Sequence, residues 1–287
     1  MSDMRPAARN TLTRLVNQVD TTPPGTLPAD TVPTGFPSLD RMMGGGFRRR
    51  DLVVLGGDVG SGKSALALGI ALRAAGAGHR VAYASGEMDE DRLMERAVAL
   101  AARVTIDELR SRKLTDTKRA AVGGVALRFR DLALTVHPLV GRTFDETLAG
   151  AWREPPDLLI VDYLQLLPPP SERATQAEDT AASVRTLKAA VLERGIACLA
   201  VSQLPRHVAA RPDPRPTLDD FGAGGAVKQH ADVVLALYRE EMYNPGSGVE
   251  GAAELIVSKN RNGPTGFIDL YLYRPWLRFE DMLDPDR

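Results

Sequence analysis

Cysteine occurs once in 287 residues, as Cys198, and a single thiol excludes both a disulfide framework and a cysteine-based metal centre. Its apolar setting, Ile196-Ala197-Cys198-Leu199-Ala200-Val201, marks a core position. There is no apolar run long enough to cross a membrane, and the opening Met1-Ser2-Asp3-Met4-Arg5-Pro6 lacks the apolar segment of a secretory leader. The chain therefore reads as soluble and cytoplasmic, with no membrane partner. An excess of either charge is missing too: 36 lysines and arginines face 37 acids, for a net −1. No global field then attracts a polyanion, which argues against a generic nucleic-acid binder and leaves room for phosphate contacts at chosen points. Lysine itself is scarce: only Lys63, Lys113, Lys118, Lys188, Lys228 and Lys259 are lysines, and the other 30 cations are arginine. The four histidines are scattered and carry no assigned role.

What is present is apolar material, 44% of the residues, enough for a sizeable core in one large domain or two small ones. Leu12, Leu15, Val16 and Val19 recur at helical spacing, which predicts a short helix over residues 7–19 with one apolar stripe. Prolines at 23, 24, 28, 33 and 37 then predict an extended, semi-stiff tether. So short a helix is marginal in water, so its stripe is expected to dock on another surface; the alternative is a frayed terminal extension. From residue 50 onward, strand-like apolar runs (52–55, 80–84, 132–136, 158–161, 196–201 and 233–237) alternate with helical candidates near 63–75, 89–102, 115–128, 143–153 and 176–194. That alternation predicts an α/β fold, a mostly parallel central sheet flanked by helices. Residues 253–258 and 266–273, joined through Asn262-Gly263-Pro264-Thr265, predict an antiparallel hairpin at one edge of the sheet.

The sharpest signal is Gly57-Asp58-Val59-Gly60-Ser61-Gly62-Lys63-Ser64, a G-x-x-x-x-G-K-[ST] string between an apolar strand and an alanine- and leucine-rich helix. In that setting the glycines let backbone N–H groups converge on phosphate oxygens, Lys63 brings a charge to the β- and γ-phosphates, and Ser64 offers a hydroxyl to Mg²⁺. ATP and Mg²⁺ are the expected ligands. A second acid must hold the metal's water shell, and Asp162, closing the run Leu158-Leu159-Ile160-Val161, is the Walker B candidate. Glu87 follows the strand over 80–84 and is the candidate for orienting or deprotonating water; a helix-start acid is the other reading. Gln203 ends the run from Ile196, where an amide could sense the γ-phosphate. Parallel strands end on one edge, so four consecutive strand ends are expected to meet one nucleotide.

With these residues in place, the chain resembles the RecA-like superfamily and, within it, the DnaB-type replicative hexameric helicases, over about residues 33–281. The resemblance is carried by Pro33-Thr34-Gly35-Phe36-Pro37-Ser38-Leu39-Asp40-Arg41, the phosphate loop, Glu87-Met88, Val161-Asp162-Tyr163-Leu164-Gln165-Leu166, Ser202-Gln203-Leu204, Gln229-His230-Ala231-Asp232 and Ser258-Lys259-Asn260-Arg261-Asn262-Gly263-Pro264-Thr265-Gly266. It implies a RecA-like P-loop ATPase domain over 33–287, with 1–32 as a linker-type helix and tether. It also implies that Lys259 and Arg261 reach the γ-phosphate held by a neighbouring subunit, Arg261 as an arginine finger, so that hydrolysis needs a ring, expected to be a hexamer. Two solvated charges on a hairpin is the alternative reading of that pair. The resemblance also suggests residues 7–19 as a remnant of the family's linker helix, which packs on the adjacent subunit.

The chain departs from the family in two places. About 30 residues precede the motor, so the family's N-terminal helical domain is expected to be missing and a separate partner to replace it. The family's DNA-facing Arg-Glu-Ser-Gly stretch is replaced by Phe221-Gly222-Ala223-Gly224-Gly225-Ala226, leaving Gly222, Gly224 and Gly225 to meet single-stranded DNA through bare amides. The other lumen segment, Pro168 to Ser183, sets Glu172, Glu178 and Asp179 against Arg173 alone, a poor funnel for DNA. Arg206, Arg211 and Arg215 are expected to compensate in part, or else to be solvated loop charges. The function implied is an ATP-dependent ring helicase translocating on single-stranded DNA. The alternatives are a RecA-like assembly or regulatory ATPase without helicase activity and a recombinase-type filament.

Overall fold

A computed structural model describes residues 27–139, 143–168, 175–204, 211–246 and 248–282, together with seven isolated positions between 12 and 23. Its centre is a nine-stranded sheet. Six strands are parallel: β3 (Leu52–Gly57), β4 (Val81–Ser85), β5 (Leu134–Pro138), β6 (Leu158–Asp162), β7 (Ala197–Gln203) and β8 (Val233–Tyr238). They lie in the order β8-β3-β7-β6-β4-β5. Beyond β8 the sheet continues antiparallel through β9 (Ala252–Asn260), β10 (Gly266–Tyr273) and β11 (Arg278–Asp281). The expected hairpin is β9–β10, but the outermost place belongs to β11. A separate two-stranded ribbon pairs β1 (Thr31–Val32) with β2 (Phe47–Arg48).

The parallel strands are near-continuous apolar runs because both faces are covered. Successive side chains alternate: Val53, Leu55, Leu199 and Val201 face one core, and Leu52, Val54, Cys198 and Ala200 face the other. The first core is closed by α1 (Pro37–Met43), α2 (Lys63–Gly76) and α3 (Glu90–Ala102). The second is closed by α6 (Phe144–Trp152), α7 (Gln176–Arg194) and α8 (Ala226–His230). Two further helices, α4 (Ile106–Ser111) and α5 (Asp116–Phe129), pack with α3 around the small cluster Ala102, Val104 and Val125. All five helices expected from the alternation are present. The run 132–136 enters the sheet two residues late, because the Leu132 N–H is committed to the turn after α5, donating to Phe129 O at 3.2 Å.

Of the terminal stripe, Leu12 and Val16 are helical and half-exposed, while Leu15 and Val19 lie outside the described residues. No described helix is long and apolar enough to cross a membrane. Burial separates two kinds of leucine sharply. Leu199→Ala, at a fully buried position in β7, should lower the unfolding free energy by about 2–5 kcal/mol. Leu127→Ala, 67% exposed on α5, should change it by less than about 0.5 kcal/mol in the same urea titration.

Candidate nucleotide-binding site

The carboxyl ends of the four neighbouring strands β3, β7, β6 and β4 deliver the site. After Gly57 the loop turns through left-handed backbone at Gly60 (φ 79°) and Gly62 (φ 102°). At Gly57 the space is closed: a Cβ would stand 2.8 Å from Ser61 Oγ and 2.9 Å from Leu237 O. Lys63 opens α2, is 7% exposed, and donates from Nζ to Asp58 O at 2.7 Å. Burial lowers its pKa, opposed by the charges of Asp162, Asp58 and Glu87. An ammonium resting on its own loop's carbonyl is poised to move to a phosphate.

Asp162 closes β6 and is 2% exposed. One carboxylate oxygen accepts from the buried Tyr83 hydroxyl at 2.7 Å and the other from Ser64 Oγ at 3.2 Å. Burial raises its pKa, partly offset by those two hydrogen bonds and by Lys63. Glu87 is exposed just beyond β4. The cap of α3 is Asp89, which accepts from Arg92 N–H at 2.8 Å, and Glu87 stands two residues before it on the cleft wall. Gln203 closes β7, where Gln165 holds the strand end by donating to Ser202 Oγ at 3.0 Å and Gln203 O at 3.2 Å. Val59, Gly60, Gly62, Lys63, Ser64, Glu87, Asp162 and Gln203 all line one cleft of about 290 Å³.

Sequence reasoning missed four participants. Arg96 lines the cleft from α3, at a position whose helical spacing carries no chemical signature. Tyr83 hides inside an apolar strand, and its role shows only through its bond to Asp162. Leu277 closes the cleft in left-handed backbone (φ 52°). Arg239, 7% exposed, donates to Gly60 O at 3.1 Å and Ser61 O at 3.4 Å, so it braces the phosphate loop from the end of β8. Its guanidinium is held by the buried Glu241, which also binds Arg274 and accepts from Gly251 N–H at 2.9 Å.

Lys259 and Arg261 are not in this cleft. They lie at the opposite edge of the sheet, where β9 meets the start of β8 and Arg261 N–H donates to Asp232 O at 2.9 Å. The path along β3 between the two edges is about 16 Å. A β-bulge decides which way they point. Val234 pairs with Lys259 but Leu235 pairs with Val257, so Ser258 is an extra residue. Without it Lys259 would share the core face of Ala253, Leu255 and Val257. With it Lys259 reaches α8, donating to Lys228 O at 2.7 Å and Ala231 O at 2.6 Å, while Asn260 turns to Met42 O.

The expected DNA-facing residues are a mixed group. Gly222 (φ 58°), Ala223 (φ 52°) and Gly225 (φ 80°) form a tight turn through Gly224, closed by Gly225 N–H on Gly222 O at 3.0 Å. Arg206 lies outside the described residues. The other two arginines are paired with carboxylates of the same chain. Arg211 donates to both oxygens of Asp220, at 3.0 and 2.8 Å. Arg215 donates to both oxygens of Glu254, at 2.9 and 2.6 Å, and lies over the Tyr238 ring.

This fold and this cleft define a RecA-like P-loop protein. Residues 31–281 match the family model of the DnaB-like helicase C terminal domain, and the chain belongs to that family. It is 31% identical over 257 residues to the replicative DNA helicase DnaB of Geobacillus stearothermophilus, covering 88% of this chain and 56% of that protein. The chain thus spans little more than half the length of such relatives. A solved structure described as an ATPase domain superposes with a TM-score of 0.89 at 25% identity, over 97% of this chain and all of that one. A second, "The Structure Of A DnaB-Like Replicative Helicase And Its Interactions With Primase", superposes at 0.85 and 25% identity, over 97% of this chain and 67% of that one.

Burial pushes the Glu241 carboxyl up, but the hydrogen bonds from Arg274, Arg239 and Gly251 outweigh it and bring the group from 4.5 down to about 2. A carboxyl depressed in the folded state stabilises the fold above its unfolded pKa and ceases to as pH falls through its folded one. Glu241→Gln should therefore cost stability at pH 6, and its deficit in urea midpoint against the wild type should shrink as the pH is lowered from 4.5 towards 2.

Proposed function

We propose that the chain is the ATP-hydrolysing motor of a ring-forming DNA helicase, acting on single-stranded DNA. One observation carries the reading. The phosphate cleft holds a loop, a metal-type acid and a candidate base, but the γ-phosphate cations Lys259 and Arg261 stand on the far edge of the same sheet. A chain arranged this way completes a site only by lending its cations to a neighbour, and head-to-tail lending closes into a ring when the rotation permits.

The residues present fit a nucleotide with Mg²⁺. Val59, Gly60, Gly62, Lys63 and Ser64 line the cleft, the setting in which loop N–H groups converge on phosphate oxygens, and the buried Ser61 hydroxyl has no partner among the described residues. Ser64 and Asp162, 3.2 Å apart, would hold the metal, Asp162 through its water shell. Mg²⁺ there would neutralise charge on the β- and γ-phosphates. Lys63 leaves Asp58 O for the phosphates and fixes them. Glu87 takes a proton from the attacking water, and Gln203, held by Gln165, senses the γ-phosphate. Arg261 and Lys259 of the adjacent subunit stabilise charge developing on the transferred group. Movement of the Gly222–Gly225 turn would follow the nucleotide state and carry the DNA.

ATPase rate with and without single-stranded DNA at low salt, beside the oligomeric mass, tests this directly. DNA stimulation in a closed ring is expected; an unchanged rate would favour an assembly or regulatory ATPase, and open filaments a recombinase. Lys63→Ala should abolish turnover, and Glu87→Gln should lower kcat by about 10²–10⁴. Arg261→Ala should bind ATP yet lose about 10³ or more in kcat. Mixed with Lys63→Ala subunits it should regain turnover, because hybrid interfaces pair an intact loop with an intact finger.

A further inference from the structure

The Gln229-His230-Ala231-Asp232 string ends in an acid to which the nucleotide cleft gives no task. Asp232 is 2% exposed at the start of β8, on the edge away from the phosphate loop. Its Oδ2 accepts from Leu52 N–H at 2.9 Å and from the Lys188 ammonium. Lys188 is fixed in turn by donating to Arg50 O at 2.7 Å. Those two donors already tie β8 to β3 and α7. The other oxygen, Oδ1, is turned to Arg261 and stands 3.3 Å from its Nε.

The manner of that contact is informative. Arg261 meets Asp232 as an ion pair on the inner side of its guanidinium, and its side chain is 52% exposed. Among the described residues the two terminal amino groups have no partner, and these form the edge of the fork suited to bidentate phosphate contact. An unrestrained arginine samples many rotamers, so an ion pair that favours one orientation lowers the entropy lost on docking. Lys259 beside it is treated alike, with Lys228 O and Ala231 O accepting two of its three protons.

We propose that Asp232 is the positioning residue of the arginine finger: its buried carboxylate, clamped by Leu52 N–H and Lys188, aims Arg261 at a phosphate bound by the next subunit. The inference rests on the finger acting in trans. It places the effect of an Asp232 substitution in the neighbour's active site and leaves the subunit's own phosphate loop intact.

The test is a mixing experiment in which native mass spectrometry confirms mixed rings. Asp232→Asn keeps the size and the hydrogen-bonding oxygen but removes the charge. Homomeric Asp232→Asn rings should show kcat at least tenfold down, with affinity for a fluorescent ATP analogue within twofold of wild type. Mixing with Lys63→Ala subunits should restore turnover to the level of the Arg261→Ala and Lys63→Ala mixture. Wild-type kcat in Asp232→Asn overturns the proposal. So does a loss that mixing fails to repair while the Arg261→Ala mixture recovers, since Asp232 would then serve only its own subunit's fold. If the Arg261→Ala mixture fails as well, the trans reading itself falls and this inference falls with it. Should Asp232→Asn not assemble, Asp232→Glu, which keeps the charge but shifts it by a methylene, decides by the same readout.

Discussion

A parallel sheet buried on both faces admits polar side chains only where its strands stop. Every residue of β3, β4 and β6 is buried, and their neighbours above and below are apolar. Uncompensated polar atoms inside such a sheet would each cost several kcal/mol. Chemistry is therefore confined to the strand ends, and at the carboxyl edge Lys63, Glu87, Asp162 and Gln203 emerge within one cleft. Tyr83 tests the rule from inside: it is fully buried, and its hydroxyl is accommodated only because it reaches Asp162 at the strand end.

That constraint explains what was legible in the sequence. Runs such as Leu158–Val161 end in a polar residue at the carboxyl end of the strand, so a strand and its site residue are read together. Regular helices were equally plain, because α2, α3 and α7 repeat an apolar face over three or more turns. Elements without periodicity were not. The ribbon β1–β2, the six-residue α4 and the four-residue edge strand β11 are too short to show a period, and some of the contacts that fix them come from far along the chain. Ser38, for example, binds Asp281 through both its N–H and its hydroxyl. Arg239 was invisible for the same reason: its contacts, Gly60 and Ser61, lie far upstream in the chain.

Charge bookkeeping by composition also proved coarse. The near-neutral total hides strong local pairing, and many cations are absorbed inside the chain. Lys188 grips Asp232, Lys118 binds Glu108, Lys228 binds Asp219, and Arg73 spans the Phe36 ring and Glu280. Exposed pairs among these contribute little stability each. Their larger effect is to withdraw positive charge from the surface, as at Arg211 and Arg215, where the sequence alone suggested availability.

β3 has a geometric property that neither site shows alone. At its first residue, Leu52, the N–H holds Asp232, which pairs with Arg261; at its last, Gly57, the phosphate loop begins. One strand at the heart of the sheet is thus an axle with a tool at each end. Paired on both sides by β7 and β8, it can tilt only with the whole body. In a closed assembly, a tilt imposed by the nucleotide at one end would swing the other end by the same angle. In the ring proposed above, successive sites would then be kept in phase by rigid rotation of the sheet, delivered at its far end by Asp232 and Arg261.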